Sequence, residues 1–430
     1  MTDSIDDTAV ATLANGVRVV TVRLPHLETV SVSVFVRSGS GHESVRENGL
    51  SHFVEHMAFK GTEDRDCQRI NLDAERLGAE VNAHTDRDHT AFYMRGLPEH
   101  AGDSVRMLAD LVLQPTFPAD ELERERQVLL QELAEDEDDP VASAYKLFDA
   151  ACWGSHAAAM PVIGTRARVE ALTRDDLAQY AQRHYNGANI VVGAVGPLDV
   201  ATLLRTCEQA FGALPAGTPS VVDTPAYVGG VRTRAQSGSS QSHAVLGGML
   251  APRRDATLHD EAATALAAAV LGEGMSSPLL HELREKRALA YHVSASADAY
   301  DMCGQFIIEA STAPERLDEC LQAVLELLRQ HAAAIDAPEL ARARRQLAVR
   351  RLRALEKPLR RIEDAALDLF AHGRVRSHDE RLGALSSTPA DAVRAVFERL
   401  LTRGLSLAVT GRLKRAAGHH ARALLDSTRC

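Results

Sequence analysis

The predicted order of strands and helices repeats once along this chain of 430 residues. Two strand-like segments followed by a helix occupy residues 81–113, and the same order returns in residues 291–328. Between them, residues 214–230 are rich in proline and glycine, which is typical of a linker. A repeated unit of strands and helices has to bury the apolar face of its sheet. We therefore predict an α+β fold of two similar α/β-roll-like domains, each with an antiparallel-rich sheet and helices packed on one face.

The length and composition indicate a soluble protein of two domains. A chain this long exceeds one ordinary hydrophobic core. We predict an N-terminal domain in residues 1–213, a linker in 214–230 and a C-terminal domain in 231–430. Hydrophobic residues make up 45% and charged residues 25% of the chain, as in ordinary globular proteins. The net charge of -11 argues against general affinity for nucleic acid.

Membrane, secretory and disulfide signals are missing from the sequence. No apolar run reaches the roughly 18 residues that span a bilayer, and the acidic residues 1–7 lack the apolar core of a signal peptide. The six cysteines, Cys430 among them, show no C-x-x-C spacing, which indicates reduced thiols. Residues 342–355 are basic but lack aromatic side chains, which favours a solvated helix over a nucleic-acid contact. We predict a cytoplasmic protein with neither a membrane nor a nucleic-acid partner.

Residues 49–57 carry the pattern H-x-x-E-H. On a helix, His52 and His56 lie one turn apart on one face, with Glu55 beside them. Two imidazoles directed at one point supply half of a tetrahedral zinc site, and a carboxylate one turn away can hold a metal-bound water. The pattern is the inverzincin signature. A solvated helix face with histidines by chance is the alternative on these residues alone.

The segments on either side extend this motif. Ser-Gly-Ser-Gly-His-Glu precedes it at 38–43, and Phe-Lys-Gly-Thr follows at 59–62. Together they resemble the first motif of the pitrilysin/insulinase family of zinc metallopeptidases, in its mitochondrial-processing-peptidase-like branch. The resemblance implies a third zinc ligand about 76 residues after His56, at Glu132. It also implies a second carboxylate, Glu125, that supports the site from behind.

The same resemblance implies the chemistry of the site. One Zn2+ per chain would be held by His52, His56 and Glu132, with a fourth position for water whose pKa falls to about 7. Glu55 can take the proton of that water as it attacks a peptide carbonyl, and then deliver the proton to the leaving amine. The segment of the second half that corresponds to the metal helix, residues 260–272, has no histidine at the ligand positions.

A second motif, Glu-Val-Asn-Ala-His-Thr, occupies residues 80–85. It resembles the Asn-Ala-x-Thr edge strand of the family, which implies that Asn82, Ala83 and Thr85 bind substrate. An exposed edge can pair with an extended peptide through main-chain hydrogen bonds. The alternative is that Asn82 simply ends a strand. His84 stands where the family usually has an aromatic or apolar residue.

A third motif lies in the second half of the chain. It comprises Gly-Glu-Gly-Met-Ser-Ser at 272–277 and Leu-Arg-Glu-Lys-Arg-Ala-Leu-Ala-Tyr at 283–291. It resembles the second-half motif of the family, in which an arginine and a tyrosine complete the active site. Here they would be Arg284, which donates hydrogen bonds to substrate carbonyls, and Tyr291, whose hydroxyl stabilises the oxyanion.

The resemblance covers nearly the whole chain and implies a zinc-dependent endopeptidase that cleaves unfolded or extended peptides inside a closed chamber. Family members of this length supply half a chamber, which implies a homodimer with active sites shared between chains. The alternative is a non-catalytic or partner subunit of a heterodimeric processing peptidase or structural complex. Relatives of that kind lose the zinc ligands or the Arg/Tyr pair, whereas this chain retains both.

Overall fold

The computed structural model describes residues 8–427, so the predictions for residues 1–7 and for Cys430 lie outside the described residues. Within this range the chain forms two compact units. The first contains the described residues up to 133 together with 161–222 and 353–377. The second contains 134–160, 223–352 and the described residues from 378 onward.

The strands are numbered in chain order: β1 (Thr8–Thr12), β2 (Arg18–Arg23), β3 (Val30–Val36), β4 (Glu80–Thr85), β5 (Thr90–Gly96), β6 (Ile190–Gly196), β7 (Gly230–Ala235), β8 (Ser242–Leu250), β9 (Ala290–Ala299), β10 (Gly304–Thr312) and β11 (Ser406–Gly411). The helices are α1 (Leu50–Ala58), α2 (Cys67–Arg76), α3 (Ala101–Leu113), α4 (Ala119–Asp138), α5 (Pro140–Trp153), α6 (Arg166–Ala171), α7 (Arg174–His184), α8 (Val200–Phe211), α9 (Leu258–Gly272), α10 (Leu317–Ala333), α11 (Ala337–Leu355), α12 (Pro358–His372), α13 (His378–Ser387), α14 (Ala390–Arg403) and α15 (Ala417–Asp426). A π-helix spans Leu280–Lys286.

The first unit is built on a six-stranded sheet with the order β1-β2-β6-β3-β5-β4. β2 and β6 are parallel, and the other neighbours are antiparallel. β1 and β2 form a hairpin around Asn15 and Gly16, a residue pair typical of tight turns, and Gly16 has a φ of 92° that favours glycine. β4 forms one edge of the sheet, because only β5 pairs with it.

Both faces of the first sheet are covered. Successive residues of a strand point to opposite faces, so Val34 packs in the core that contains α1 and α3, whereas Phe35 packs with α12. The close approach of α12 depends on Gly193 of β6, because a Cβ atom at that position would overlap the side chain of Ile362. The helix on the second face was not predicted from the sequence, and it brings residues from far along the chain to this sheet.

The second unit repeats the topology of the first. Its sheet has the order β7-β11-β8-β10-β9, which corresponds strand by strand to β2-β6-β3-β5-β4. The β7–β11 pair is parallel and the rest are antiparallel, as in the first unit. Helix α9 takes the place of α1, since along the chain each lies between the second and third of the five strands that the two units share. The prediction of an α+β fold with two similar domains is confirmed.

Helices α5 and α12 each belong to a different unit from the one that their position along the chain indicates. α4 begins in the first unit and continues past residue 133 into the second, where α5 packs on β7, β8 and β11. α11 makes the reverse passage after residue 352, and α12 packs on the first sheet. The predicted division at 214–230 therefore separates the two sets of strands but not these segments. A linker is recognised by its composition, whereas a continuous helix passes a boundary without a change in composition.

Among the described residues, no helix combines the length and the apolar character needed to cross a bilayer.

Candidate active site

Helix α1 presents the H-x-x-E-H motif from the core of the first unit. Leu50, Phe53 and Met57 are fully buried beneath it, so their spacing fixes the direction in which the histidines of the opposite stripe project. The helix begins after Gly49, whose φ of 96° lies in the left-handed region. The predicted helix around His52 and His56 is therefore present, and its apolar stripe orients it.

A buried carboxylate holds the start of α1. Glu43 accepts hydrogen bonds from the backbone N–H of Gly49 at 2.8 Å and of Ser51 at 2.7 Å. The first N–H groups of a helix have no partner within the helix, and a negative charge there is favourable. Burial raises the pKa of Glu43 to about 7, against the hydrogen bonds from Ser51, Gly49 and Asn48, which lower it. The sequence motif contains Glu43, but the pattern alone did not assign it this role.

The two imidazoles and Glu132 converge on one point. His52 Nε2 lies 3.1 Å from His56 Nε2, and Glu132 Oε2 of α4 lies 3.9 Å from His56 Nε2. All three donor atoms lie within 4.8 Å of one another. Zinc bonds to nitrogen and oxygen of about 2.0–2.2 Å place neighbouring tetrahedral donors about 3.4 Å apart. The donor set and its spacing therefore fit a zinc ion.

Glu125 fixes the orientation of His56. Its Oε1 lies 2.9 Å from His56 Nδ1, and its Oε2 lies 2.5 Å from Lys60 Nζ. Burial alone would raise the pKa of Glu125, but the hydrogen bonds from His56 and Lys60 outweigh it and lower the pKa. An ionised Glu125 accepts the Nδ1 proton of His56 and directs the Nε2 lone pair at the cluster. Lys60, which also lies in the sequence motif, received no role from the sequence.

The electrostatics of the cluster favour a cation. Burial, followed by the charge of His56, lowers the pKa of His52 to about 3, which leaves its imidazole neutral. Burial acts on His56 in the same direction, but the hydrogen bond to Glu125 and the charges of Glu55 and Glu132 outweigh it and raise its pKa. Neutral imidazole and ionised carboxylate are the forms that bind metal. Acidic side chains outnumber the single ammonium of Lys60 around the two imidazoles, an arrangement that suits a divalent ion.

Glu55 is buried beside the histidines, and Thr85 Oγ1 of β4 donates a hydrogen bond to its Oε2 at 2.9 Å. Burial raises the pKa of Glu55, although His56 and Thr85 oppose the change. A carboxyl group whose pKa is raised toward neutrality is suited to exchange a proton. The structure thus brings the edge strand and the proposed proton carrier together through Thr85.

The other two residues predicted on the edge strand have different surroundings. Ala83 is half-buried against the core on the face of Thr85. Asn82 is exposed, and its Oδ1 accepts a hydrogen bond from the Ala83 backbone N–H at 2.8 Å. Because β4 is an edge strand, its unpaired main-chain groups are available to an extended peptide.

Arg284 and Tyr291 lie together in the second unit. Arg284 belongs to the π-helix, and Tyr291 is the second residue of β9. The guanidinium carbon of Arg284 lies 5.1 Å from the centroid of the tyrosine ring, which is within the range of a cation–π contact. Tyr291 is 79% exposed, so its ring faces solvent within its own unit.

Comparison with known proteins identifies the family of the chain. Residues 18–166 match the family model described as Insulinase (Peptidase family M16), and residues 171–347 match the model described as Peptidase M16 inactive domain. An uncharacterized zinc protease of Streptomyces coelicolor is 32% identical over 94% of this chain and 89% of that protein. An uncharacterized zinc protease of Mycobacterium tuberculosis is 33% identical over 93% of this chain and 92% of that protein.

Solved structures share the fold. A crystal structure of a peptidase M16 inactive domain from Pseudomonas fluorescens superposes with a TM-score of 0.87 and 22% identity, and covers 95% of this chain and 98% of that one. A protease from Helicobacter pylori superposes with a TM-score of 0.86 and 21% identity, and covers 95% and 100%. With the extended matches to relatives above 30% identity, these findings show that the chain belongs to the insulinase family, peptidase family M16.

Proposed function

We propose that this protein is a zinc-dependent endopeptidase that hydrolyses unfolded or extended peptides. The observation that carries the proposal is the convergence of His52, His56 and Glu132, with Glu55 on the same helix turn. Two similar proteins of about the same length are named zinc proteases, which supports both the metal and the reaction class.

His52, His56 and Glu132 would hold the zinc ion, and Glu125 would keep His56 in the tautomer that binds it. A zinc ion held by these residues would supply Lewis acidity toward a peptide carbonyl and would lower the pKa of water. The remaining steps belong to side chains of the protein. Glu55 takes the proton from the attacking water and passes it to the leaving amine nitrogen. The hydrogen bond from Thr85 holds one oxygen of Glu55, so the other oxygen is available for the proton.

Substrate would bind along β4. Pairing with a strand edge needs a peptide whose main-chain groups are free, and those groups are occupied in a folded protein. Recognition through the main chain also has little dependence on side chains. We therefore propose that the enzyme selects substrates by their extended conformation rather than by a long sequence motif.

We also propose that the protein acts as a homodimer with active sites shared between chains. Support comes from Tyr291, whose exposed ring is held by Arg284 in a unit that lacks a metal-binding group among the described residues. In this arrangement Arg284 of one chain donates to substrate carbonyls bound by the other chain. The Tyr291 hydroxyl donates to the oxyanion formed at the scissile bond.

The test of the reaction combines zinc content with turnover of an unstructured peptide. We expect zinc-loaded protein to cleave a flexible peptide, chelation to abolish cleavage, and re-addition of zinc to restore it. A stable folded domain should survive until it is denatured. Equal cleavage of the folded and the denatured domain would contradict selection of extended chains.

The competing function is a non-catalytic or partner subunit, and the description of the matched second-half model as an inactive domain favours it for that half. Protein that binds zinc through His52, His56 and Glu132 yet cleaves none of a set of unstructured peptides would support this competing function.

The test of the shared site mixes two inactive variants. One carries Glu55→Gln, and the other carries Arg284→Ala with Tyr291→Phe. If chains exchange freely, half of the dimers are mixed and each mixed dimer holds one site without a lesion, so about a quarter of the wild-type activity should return. Absence of recovery, with subunit exchange shown by labelled chains, would rule out the shared site.

A further inference from the structure

A second cluster of metal-binding side chains lies on the other face of the first sheet. His84 and Thr85 are consecutive on β4 and point to opposite faces. Thr85 bonds Glu55 on the α1 face, whereas His84 approaches Glu363 of α12 on the other face. His89, just before β5, completes a group of two histidines and one glutamate. The first unit thus carries the same set of ligand types on both faces of one sheet.

The spacing of this second cluster resembles that of the first. Glu363 Oε1 lies 3.7 Å from His84 Nε2 and 3.6 Å from His89 Nε2, and the three atoms lie within 4.8 Å of one another. Both distances exceed a normal N–H···O hydrogen bond. They are close to the separation of about 3.4 Å between donors of a tetrahedral zinc site. The three atoms therefore surround a point at which an ion would contact all of them.

His89 supplies independent evidence for a ligand. The residue is 1% exposed, and its Nε2 is buried without a hydrogen-bond partner. Its Nδ1 lies 2.8 Å from Asp88 Oδ1, so in the neutral imidazole the aspartate favours the tautomer in which the Nε2 lone pair faces Glu363. A carboxylate behind a histidine is the usual support of a metal ligand. Buried polar atoms in proteins are nearly always satisfied, and a cation at this point would satisfy Nε2.

The surrounding charges favour a cation. Burial would lower the pKa of His89, but Asp88, Glu363 and Asp86 outweigh it and raise the pKa to about 9. Arg360 neutralises part of this field, since it lies 3.2 Å from Glu363 Oε2. The competing interpretation is a protonated His89 paired with these carboxylates. A divalent ion would replace that proton and use both imidazoles.

We propose that His84, His89 and Glu363 bind a second Zn2+, in addition to the single zinc per chain predicted from the sequence. Two imidazoles and one carboxylate are a ligand set typical of zinc, with a fourth position for water. The side chain of His84 is 43% exposed, so the site opens to solvent. The ion connects the edge strand β4 to α12. It thereby fixes the strand at which substrate is proposed to bind, but the metal site itself does not depend on peptidase activity.

The experiment counts zinc in purified protein. Full-length protein is stripped with a chelator, reloaded with Zn2+, desalted and measured for metal and protein. We expect two equivalents in wild type, one in His84→Ala, one in His56→Ala and none in the double variant. His100→Ala is the matched control, because His100 lies near Asp103 but belongs to no group of three metal-binding side chains in the part of the chain that the structure describes, and it should retain two equivalents.

Each other result has a defined meaning. One equivalent in wild type that persists in His84→Ala and disappears in His56→Ala would overturn the second site in favour of the protonated pair. One equivalent that disappears in His84→Ala and persists in His56→Ala would support the second site and contradict the zinc centre proposed for the peptidase. Glu363→Gln provides a second variant of the same shape, and it should also lower the content by one equivalent.

Discussion

The two units of the molecule share the order of five strands, but within the described residues only the helix of the first unit carries candidate metal ligands. α1 and α9 occupy the same place in the topology. The buried face of α9 is composed mainly of alanine and leucine, including Ala263, Leu266 and Ala267. α1 instead carries two histidines and a glutamate on the stripe that faces the candidate site. The fold therefore positions a helix over the sheet, and a few side chains decide whether that helix has a function.

The N-termini of α1 and α9 are also stabilised by different residues. α9 begins with a local capping box, in which Thr257 and Asp260 bond each other's backbone N–H. α1 begins at a left-handed glycine and relies on the buried Glu43. Burial of a carboxylate is costly unless several donors surround it. The first unit therefore starts its helix with a buried carboxylate from outside the helix. The second unit uses side chains of the helix start itself.

The largest effect should come from matched Glu→Gln substitutions in α1 and α9. Glu55→Gln keeps the shape of the side chain but removes proton transfer, so turnover of an unstructured peptide should fall by about 10²–10⁴-fold. Zinc content should stay the same, because Glu55 is not a proposed ligand. Glu261→Gln in α9 should keep the wild-type rate. Full activity of Glu55→Gln, or an equal loss of activity in Glu261→Gln, would contradict the proposal that α1 carries a catalytic glutamate and α9 does not.

Helices α12 and α5 should differ in how much their side-chain contacts contribute to stability. At the end of α12, Asp368 Oδ1 lies 2.6 Å from Arg376 Nη2, and both side chains are buried. Asp368→Asn should lower the free energy of unfolding by about 3–5 kcal/mol, because it removes a carboxylate charge that pairs with a buried guanidinium. In α5, Tyr145→Phe removes one hydrogen bond to Glu309, 2.8 Å long, and should cost about 1 kcal/mol. Urea denaturation compares them, and equal costs would refute the difference.

Stability should depend on pH through Glu43. Its pKa is raised from 4.5 to about 7 by burial, so between these values the folded state binds more protons than the unfolded state. The contribution is present below the unfolded pKa and falls by about 3 kcal/mol as pH rises through the folded pKa. Relative to Glu43→Gln, the free energy of unfolding of the wild type should therefore be about 3 kcal/mol lower at pH 8 than at pH 5. A difference independent of pH would contradict the raised pKa.

The smallest effect should come from the local cap of α9. Thr257→Ala removes the side-chain oxygen that accepts from the Asp260 backbone N–H, so the free energy of unfolding should fall by about 1 kcal/mol. Threonine does not titrate, and the effect should be similar at pH 5 and pH 8. If Thr257→Ala changed the free energy of unfolding as strongly and with the same pH dependence as Glu43→Gln, the proposed difference between the two helix N-termini would be wrong.

Elements with a strong local signal were predicted closely. Valine alternates with serine or phenylalanine from Val30 to Val36, which predicts a strand, and the sequence predicts a helix at about 174–184; β3 and α7 have these bounds. Alternation and capping residues define these elements within a few positions of the chain. β11 was not predicted, although it lies in the interior of the second sheet. Its short apolar run lies between Gly404 and Gly411, but a run of this length also fits a buried helix segment, and its position in the sheet depends on partners far away in sequence.

The sequence by itself determined the pairing of His52, His56 and Glu55, because helical spacing places them on one face without help from the rest of the chain. The cluster of His84, His89 and Glu363 was decided by tertiary structure alone. His84 lies near the end of β4 and His89 lies just before β5. Glu363 reaches them only because α12 packs on the first sheet over Gly193. Sequence patterns record neighbours along a helix or strand, whereas this contact depends on which unit a distant helix joins, and that is settled by burial of its apolar face.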